Sequence, residues 1–266
     1  MSAGIPLTLA DGQRKRRERG FTLVELLVVM AVVASLLALV VPAFTQANTA
    51  RTLTTAAYNV AGLLENARAY AKANNTYTWV GFFEEAPTGA AGTAGVGRVV
   101  VFAVSSKDAT ALYANSDPDP AALPATRLNA LGKLTKIDNT HLTVLNTNEV
   151  PARGKVTDGN GVASNVDPAY QVGDGAGDTG GFSQRSGGTN RATFTYPLGA
   201  ANPTYKFVRV IQFNPLGDAT KIVDSPTPLI EIGLRPTRGT TVEVAGKNCA
   251  AVQVDGIGGL VRIYRP

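Results

Sequence analysis

The sequence predicts an α+β fold, a long N-terminal helix packed on an antiparallel, mostly β head. The helix is expected to be transmembrane in its first half and amphipathic in its second. Three observations predict this. Leu26–Val41 is apolar without interruption apart from Ser35. Leu53, Ala57, Val60, Leu64, Ala67 and Ala71 then recur at alternating steps of four and three, which draws one apolar stripe along a helix. Beyond Asn75 the hydrophobic period falls to two, in short segments punctuated by the chain's 28 glycines and 15 prolines.

The first element is the apolar run and what precedes it. Arg14, Lys15, Arg16, Arg17 and Arg19 stand against Asp11 and Glu18 in residues 1–20, whereas the rest of the chain is close to neutral. The basicity is therefore local, and it reads as a targeting signal rather than a nucleic-acid surface. A helix over Phe21–Phe44 would be about 36 Å long, enough to cross a hydrocarbon core of about 30 Å. Basic residues precede the run and the next one is Arg51, so the positive-inside rule puts the N-terminus in the cytoplasm. The alternative is an ordinary secretory signal, whose apolar region is shorter and ends at a small-residue cleavage site.

Glu25 is the odd residue in this run. A carboxylate in an apolar helix is costly at the bilayer centre and cheaper near an interface, and Glu25 lies one turn from Phe21. It is either an interfacial acid or a group that needs a cation. If the chain were cut after Gly20, Phe21 would carry a free amine beside it, and Glu25 could pair with the amine of a neighbouring copy.

Arg19-Gly20-Phe21-Thr22-Leu23-Val24-Glu25 followed by an apolar helix resembles the class III signal of type IV pilins and type II secretion pseudopilins. The resemblance implies that a prepilin peptidase cuts after Gly20 and that Phe21 is then N-methylated. It also implies that Glu25 aids assembly, and that Pro42 kinks the helix where many members carry a proline. Glu65-Asn66-Ala67-Arg68-Ala69-Tyr70-Ala71-Lys72-Ala73-Asn74-Asn75 resembles a passage of H-type minor pseudopilins and FimT-like minor pilins. The Phe213–Gly217 turn resembles the C-terminal half of that fold. The likeness is dense over residues 14–75 and thin beyond.

The amphipathic stripe reads as a helix docked on its own sheet, stopped at Asn74-Asn75, so one helix runs from Thr22 to Asn74. Strands are expected at Thr76–Phe83, Arg98–Val104, Thr140–Leu145, Arg191–Tyr196, Tyr205–Phe213, Leu229–Leu234, Thr241–Val244, Ala250–Val254 and Leu260–Tyr264. A short helix or turn is expected in Ala121–Leu134. Residues 105–139 and 151–190 are long connections for a small head. Asp158–Gly161 and Asp174–Asp178 carry the carboxylates and glycines that suit calcium, but not the EF-hand spacing, so solvated turns are the simpler reading.

No catalytic set, metal site or cofactor is expected. Cys249 is the lone cysteine and His141 the lone histidine, which excludes an internal disulfide and a Cys/His zinc set. Cys249 reads as a small buried residue. His141 reads as structural, with no acid partner evident near it in the chain. The chain is expected to be the substrate of an enzyme and not itself one.

The expected organisation is a cytoplasmic leader over 1–20, a transmembrane helix over 21–44, an amphipathic helix over 45–75 and a periplasmic head over 76–266. By the resemblance, the protein is a minor pseudopilin or minor pilin. Its partners would be prepilin peptidase, other pilin subunits through the N-terminal helix, the inner-membrane assembly platform, and membrane lipid before assembly. The alternative is a FimT-like minor pilin that binds DNA during uptake, with Arg235, Arg238, Arg262 and Arg265 as phosphate contacts.

Overall fold

A computed structural model describes residues 21–112, 121–145, 149–153, 156–157, 163–164, 172, 192–220, 229–243 and 248–266. For 39–48, 121, 156–157 and 163–164 it describes the backbone alone. The chain forms two compact units, Met1–Gln46 and Ala47–Pro266. The leader, Gly20 and both calcium-like loops lie outside the described residues.

Helix α1 spans Leu23–Ala73, within a residue of expectation at each end. Its stop is a Schellman motif. Asn75 sits in the left-handed region at φ 49°, and the Thr76 N–H returns 3.0 Å to the Ala71 carbonyl. Asparagine tolerates that conformation because its short polar side chain bonds locally. In the first unit, every described side chain from Phe21 to Ala38 is exposed, on all sides of the helix. Pro42 lies within α1, but its side chain is outside the described set.

In the second unit the stripe behaves as its spacing requires. Leu53, Ala57, Val60, Leu64, Ala67 and Ala71 are fully buried. They pack against Val80, Phe82, Ile211, Ile232 and Val252, among other residues on one face of a sheet. Burying a side chain such as Leu64 is worth about 1.5–3 kcal/mol, so this stripe holds the helix to the head.

The strands in chain order are β1 (Thr78–Glu85), β2 (Gly97–Ser106), β3 (Ala121–Ala122), β4 (Leu128–Ala130), β5 (Thr135–Thr143), β6 (Val156–Thr157), β7 (Ala163–Ser164) and β8 (Ala192–Tyr196). There follow β9 (Tyr205–Phe207), β10 (Arg209–Phe213), β11 (Ala219–Thr220), β12 (Leu229–Arg238), β13 (Thr241–Val242), β14 (Ala250–Asp255) and β15 (Val261–Tyr264). The main sheet runs β11-β10-β1-β2-β5-β12-β14-β15, with β4 beside β2 and β13 beside β12. Its pairs are antiparallel; the one parallel pair among the described strands joins β3 to β8.

Two differences from expectation have physical causes. Tyr205–Phe213 reads as one apolar strand, but it splits at Val208 because its halves serve different sheets. β9 pairs with β8, and β10 pairs with β1. In Ala121–Leu134 the expected short turn is present at Ala125–Arg127 as a 3-10 turn; the difference is that β3 and β4 flank it, each recruited by a neighbouring strand.

The small β3-β8-β9 sheet covers the face of β1 and β2 opposite α1. Its core is aromatic: Trp79, Phe83, Phe102, Phe194, Tyr205 and Phe207. Phe194 and Phe207 lie 5.0 Å apart between ring centroids. Gly81 permits this approach, because a Cβ there would lie 2.6 Å from Phe207 Cβ and 2.7 Å from Phe194 Cζ.

Candidate functional site

Helix α1 begins with a capping box. Thr22 is the N-cap, and Glu25 stands three residues on. Glu25 Oε2 accepts from the Thr22 N–H at 2.9 Å and from Thr22 Oγ1 at 2.8 Å. The Glu25 N–H in turn donates to Thr22 Oγ1 at 3.2 Å. These reciprocal bonds satisfy backbone donors that the first helical turn leaves unpaired. Sequence reading noted the charge of Glu25 and missed this, although Thr-x-x-Glu before an apolar run is the signature that announces it.

Phe21 is 82% exposed and Leu26 60% exposed. Among the described residues, no helix is long and apolar enough to cross a membrane. The apolar run read from the sequence continues into residues 39–41, where side chains are not described.

Buried charged side chains among the described residues of the head include three groups, around Glu84, Glu85 and Glu231. In the first, Glu84 Oε1 lies 2.7 Å from His141 Nδ1 and accepts the Leu142 N–H at 2.9 Å. β2 pairs with β5 only as far as Thr140, so the carboxylate serves as acceptor where the neighbouring strand has ended. His141 therefore does have an acid partner, contrary to expectation; the fold supplies one from 57 residues away.

In the second, Glu85 is 1% exposed. It accepts from Tyr205 Oη at 2.5 Å, Arg98 Nη1 at 2.9 Å and Lys136 Nζ at 3.0 Å. Burial pushes its carboxyl up, but these donors and the Gly92 N–H outweigh burial and hold it below the usual range. In the third, Arg153 and Glu231 meet at 3.3 Å with both side chains buried. Burial pushes the Glu231 carboxyl up, against the hydrogen bond from Gln253 and the charge of Arg153.

Cys249 is buried as expected, and burial pushes its thiol up. No group of His, Cys, Asp and Glu among the described residues has the geometry of a metal site. The four arginines weighed for phosphate contact are mostly engaged. Arg235 is 5% exposed and paired with Glu149, so a phosphate would have to displace that carboxylate. Arg238 pairs with Glu243. Arg265 bonds the Ala50 carbonyl and Asn248, while Arg262 is exposed on β15.

The Glu65–Asn75 passage and the Phe213–Gly217 turn converge on one loop. Arg68 Nε donates to the Gly258 carbonyl at 2.6 Å, and the Gly258 N–H donates to Asp218 Oδ1 at 2.7 Å. Asn214 Oδ1 accepts the Leu216 and Asp218 N–H groups, which closes the turn.

Residues 15–41 match the family described as the prokaryotic N-terminal methylation motif, about a tenth of the chain. The N-terminus is that of a type IV pilin-like or pseudopilin-like substrate of prepilin peptidase. Such substrates are typically anchored in the inner membrane, and the motif implies assembly with other pilin subunits. No curated protein and no solved structure matches the chain, so the head is described from its own geometry.

Proposed function

We propose that the protein is a minor pilin or pseudopilin of the H-type, a non-enzymatic structural subunit of a type II secretion pseudopilus or a type IV pilus-like filament. Prepilin peptidase removes residues 1–20, and Phe21 becomes the N-methylated terminus. Residues 21–44 anchor the chain in the inner membrane, with the N-terminus cytoplasmic, residues 45–75 continuing as the amphipathic helix and the β head periplasmic.

One observation carries this reading. From Leu23 to Ala38 the helix of the first unit has its apolar side chains exposed all round, under the prepilin motif. A helix apolar on every side needs lipid, or other helices, to cover it. A pilin-like subunit uses both in turn, lipid before assembly and neighbouring helices within the filament.

The test is the intact mass of the full chain extracted from membranes of cells that hold the assembly machinery. Residues 21–266 carrying one added methyl group are expected. A mature N-terminus between Ala43 and Ala50 would establish ordinary secretion and overturn the reading.

A further inference from the structure

Among the described residues, the main sheet has an opening in its interior. β5 is flanked by β2 along Thr135–Thr140 but by β12 only from Thr140 to Thr143. At Asn139 the backbone enters the left-handed region, φ 55°, and the register shifts against Gly97 and Arg98. Residues 135–139 thereby keep one side without a strand partner among the described residues. Two adjoining hollows of about 380 and 220 Å³ lie along this side and share Thr52 and Asn139 in their walls. The α1 residues Thr55 and Asn59 line the larger one, and Thr237 of β12 lines the smaller.

Exposed strand sides are normally guarded by charge, by short length or by a covering element. At the other end of this sheet the guard is present, since the Val261 N–H of β15 is taken by Glu65 Oε1 at 3.1 Å. β5 carries Lys136 and Asp138 in the wall of the larger hollow, and both are held in ion pairs. Lys136 is turned to Glu85, and Asp138 to Arg98. The larger hollow lies between β5 and α1, with Arg51, Thr52, Thr55 and Asn59 of α1 in its wall.

Charge selects the occupant. Lys136, Arg98, Glu85 and Asp138 balance among themselves, and Arg238 is matched by Glu243. Arg51, exposed on α1 in the wall of the larger hollow, has no carboxylate partner among the described residues. The local surplus is positive. A second copy offering its own β5 would bring Arg51 towards Arg51.

We propose that residues 135–139 of β5 accept an extended, acidic segment of a different subunit as an added strand beneath α1. Main-chain hydrogen bonds to the free side of β5 would supply affinity, and the cation at the mouth would supply selectivity. The partner's being a filament subunit rests on the function proposed above, but strand addition itself does not.

The test uses the full chain in detergent micelles and a capped octapeptide alternating valine and glutamate. The expected results are saturable binding and roughly tenfold slower hydrogen exchange of amides within 135–139. A lysine-for-glutamate peptide should bind at least about tenfold more weakly. Methylating alternate peptide nitrogens in one phase should abolish binding, and in the other phase should not. Thr55→Trp should fill the roof and block binding while the unfolding temperature holds, and Arg51→Glu should reverse the charge preference.

No saturable binding, protection elsewhere, or binding indifferent to backbone methylation would overturn the proposal. So would protection of 135–139 that rises with protein concentration alone, which would assign the slot to a second copy. Processing at Gly20, read by mass, is independent of all these outcomes, so failure here and failure of the subunit reading are distinguishable.

Discussion

Glu84 and His141 are brought within 2.7 Å across three neighbouring strands, with one carboxylate oxygen serving both the imidazole and the Leu142 N–H. The second oxygen, Oε2, is buried with no hydrogen-bond partner. Removing the side chain would leave two buried groups without an acceptor. Glu84→Ala is therefore expected to cost about 2–4 kcal/mol. Glu84→Gln keeps an acceptor oxygen and should cost less than half of that. Urea unfolding followed by fluorescence of Trp79, the one tryptophan and a buried one, checks both. Equal losses would mean that charge, not the acceptor position, holds this corner.

Tyr205 and Glu85 give the head an acid sensitivity. The Glu85 carboxyl is held below its unfolded value of 4.5, so the folded state binds fewer protons there than the unfolded state does. The resulting stability is present above the unfolded value and is lost as pH falls through the lower folded value. Tyr205→Phe removes one donor from the buried carboxylate and keeps the ring against Phe83. A loss of about 1.5–3 kcal/mol is expected at neutral pH. The acid-unfolding midpoint should move to higher pH. A midpoint unchanged within error would show that Lys136, Arg98 and the Gly92 N–H set the carboxylate without Tyr205.

What the sequence made legible follows from what each element depends on. α1 and its stop at Asn75 depend on local patterning and a local conformation, and both were readable. The stripe from Leu53 to Ala71 named the residues that are buried. β5 was read only from Thr140, because Lys136, Asp138 and Asn139 break the alternation that marks a strand. The ion partners of Lys136 and Asp138, Glu85 and Arg98, lie tens of residues away. The same holds for His141, whose acid is fixed by sheet topology. The capping box at Thr22 and Glu25 was legible but was passed over in favour of the charge.

Gly81 sets how closely the two sheets pack. With a Cβ placed 2.6–2.7 Å from Phe207 and Phe194, Gly81→Ala must push the β8-β9 pair off β1. Overpacking of a tight core costs about 1–3 kcal/mol. The variant should unfold at lower urea with a similar slope, and the Trp79 emission should move to longer wavelength as the aromatic layer loosens. Gly62→Ala is the control, since a Cβ at that helical glycine meets nothing within 4 Å and removes a residue unfavourable in helices. It should be neutral or stabilising.

Glu25 carries two roles that one substitution cannot separate and two can. Its carboxylate caps the first turn through Thr22, and under the proposed function it also pairs with an N-terminal amine during assembly. Glutamine serves at the third position of a capping box as well as glutamate does, so Glu25→Gln keeps the cap and removes the charge. Glu25→Val removes both, and it also removes an acid that is costly in lipid, so insertion should be at least as favourable as before. In each variant the head should keep its unfolding temperature, because the described contacts of Glu25 are all with Thr22. Crosslinking to other pilin subunits, in cells with the native assembly machinery, should fall for both variants alike. If Glu25→Gln crosslinks at the native level while Glu25→Val does not, the residue acts through the helix cap and the amine pairing is unnecessary. If both crosslink normally, Glu25 is an interfacial acid with no part in assembly.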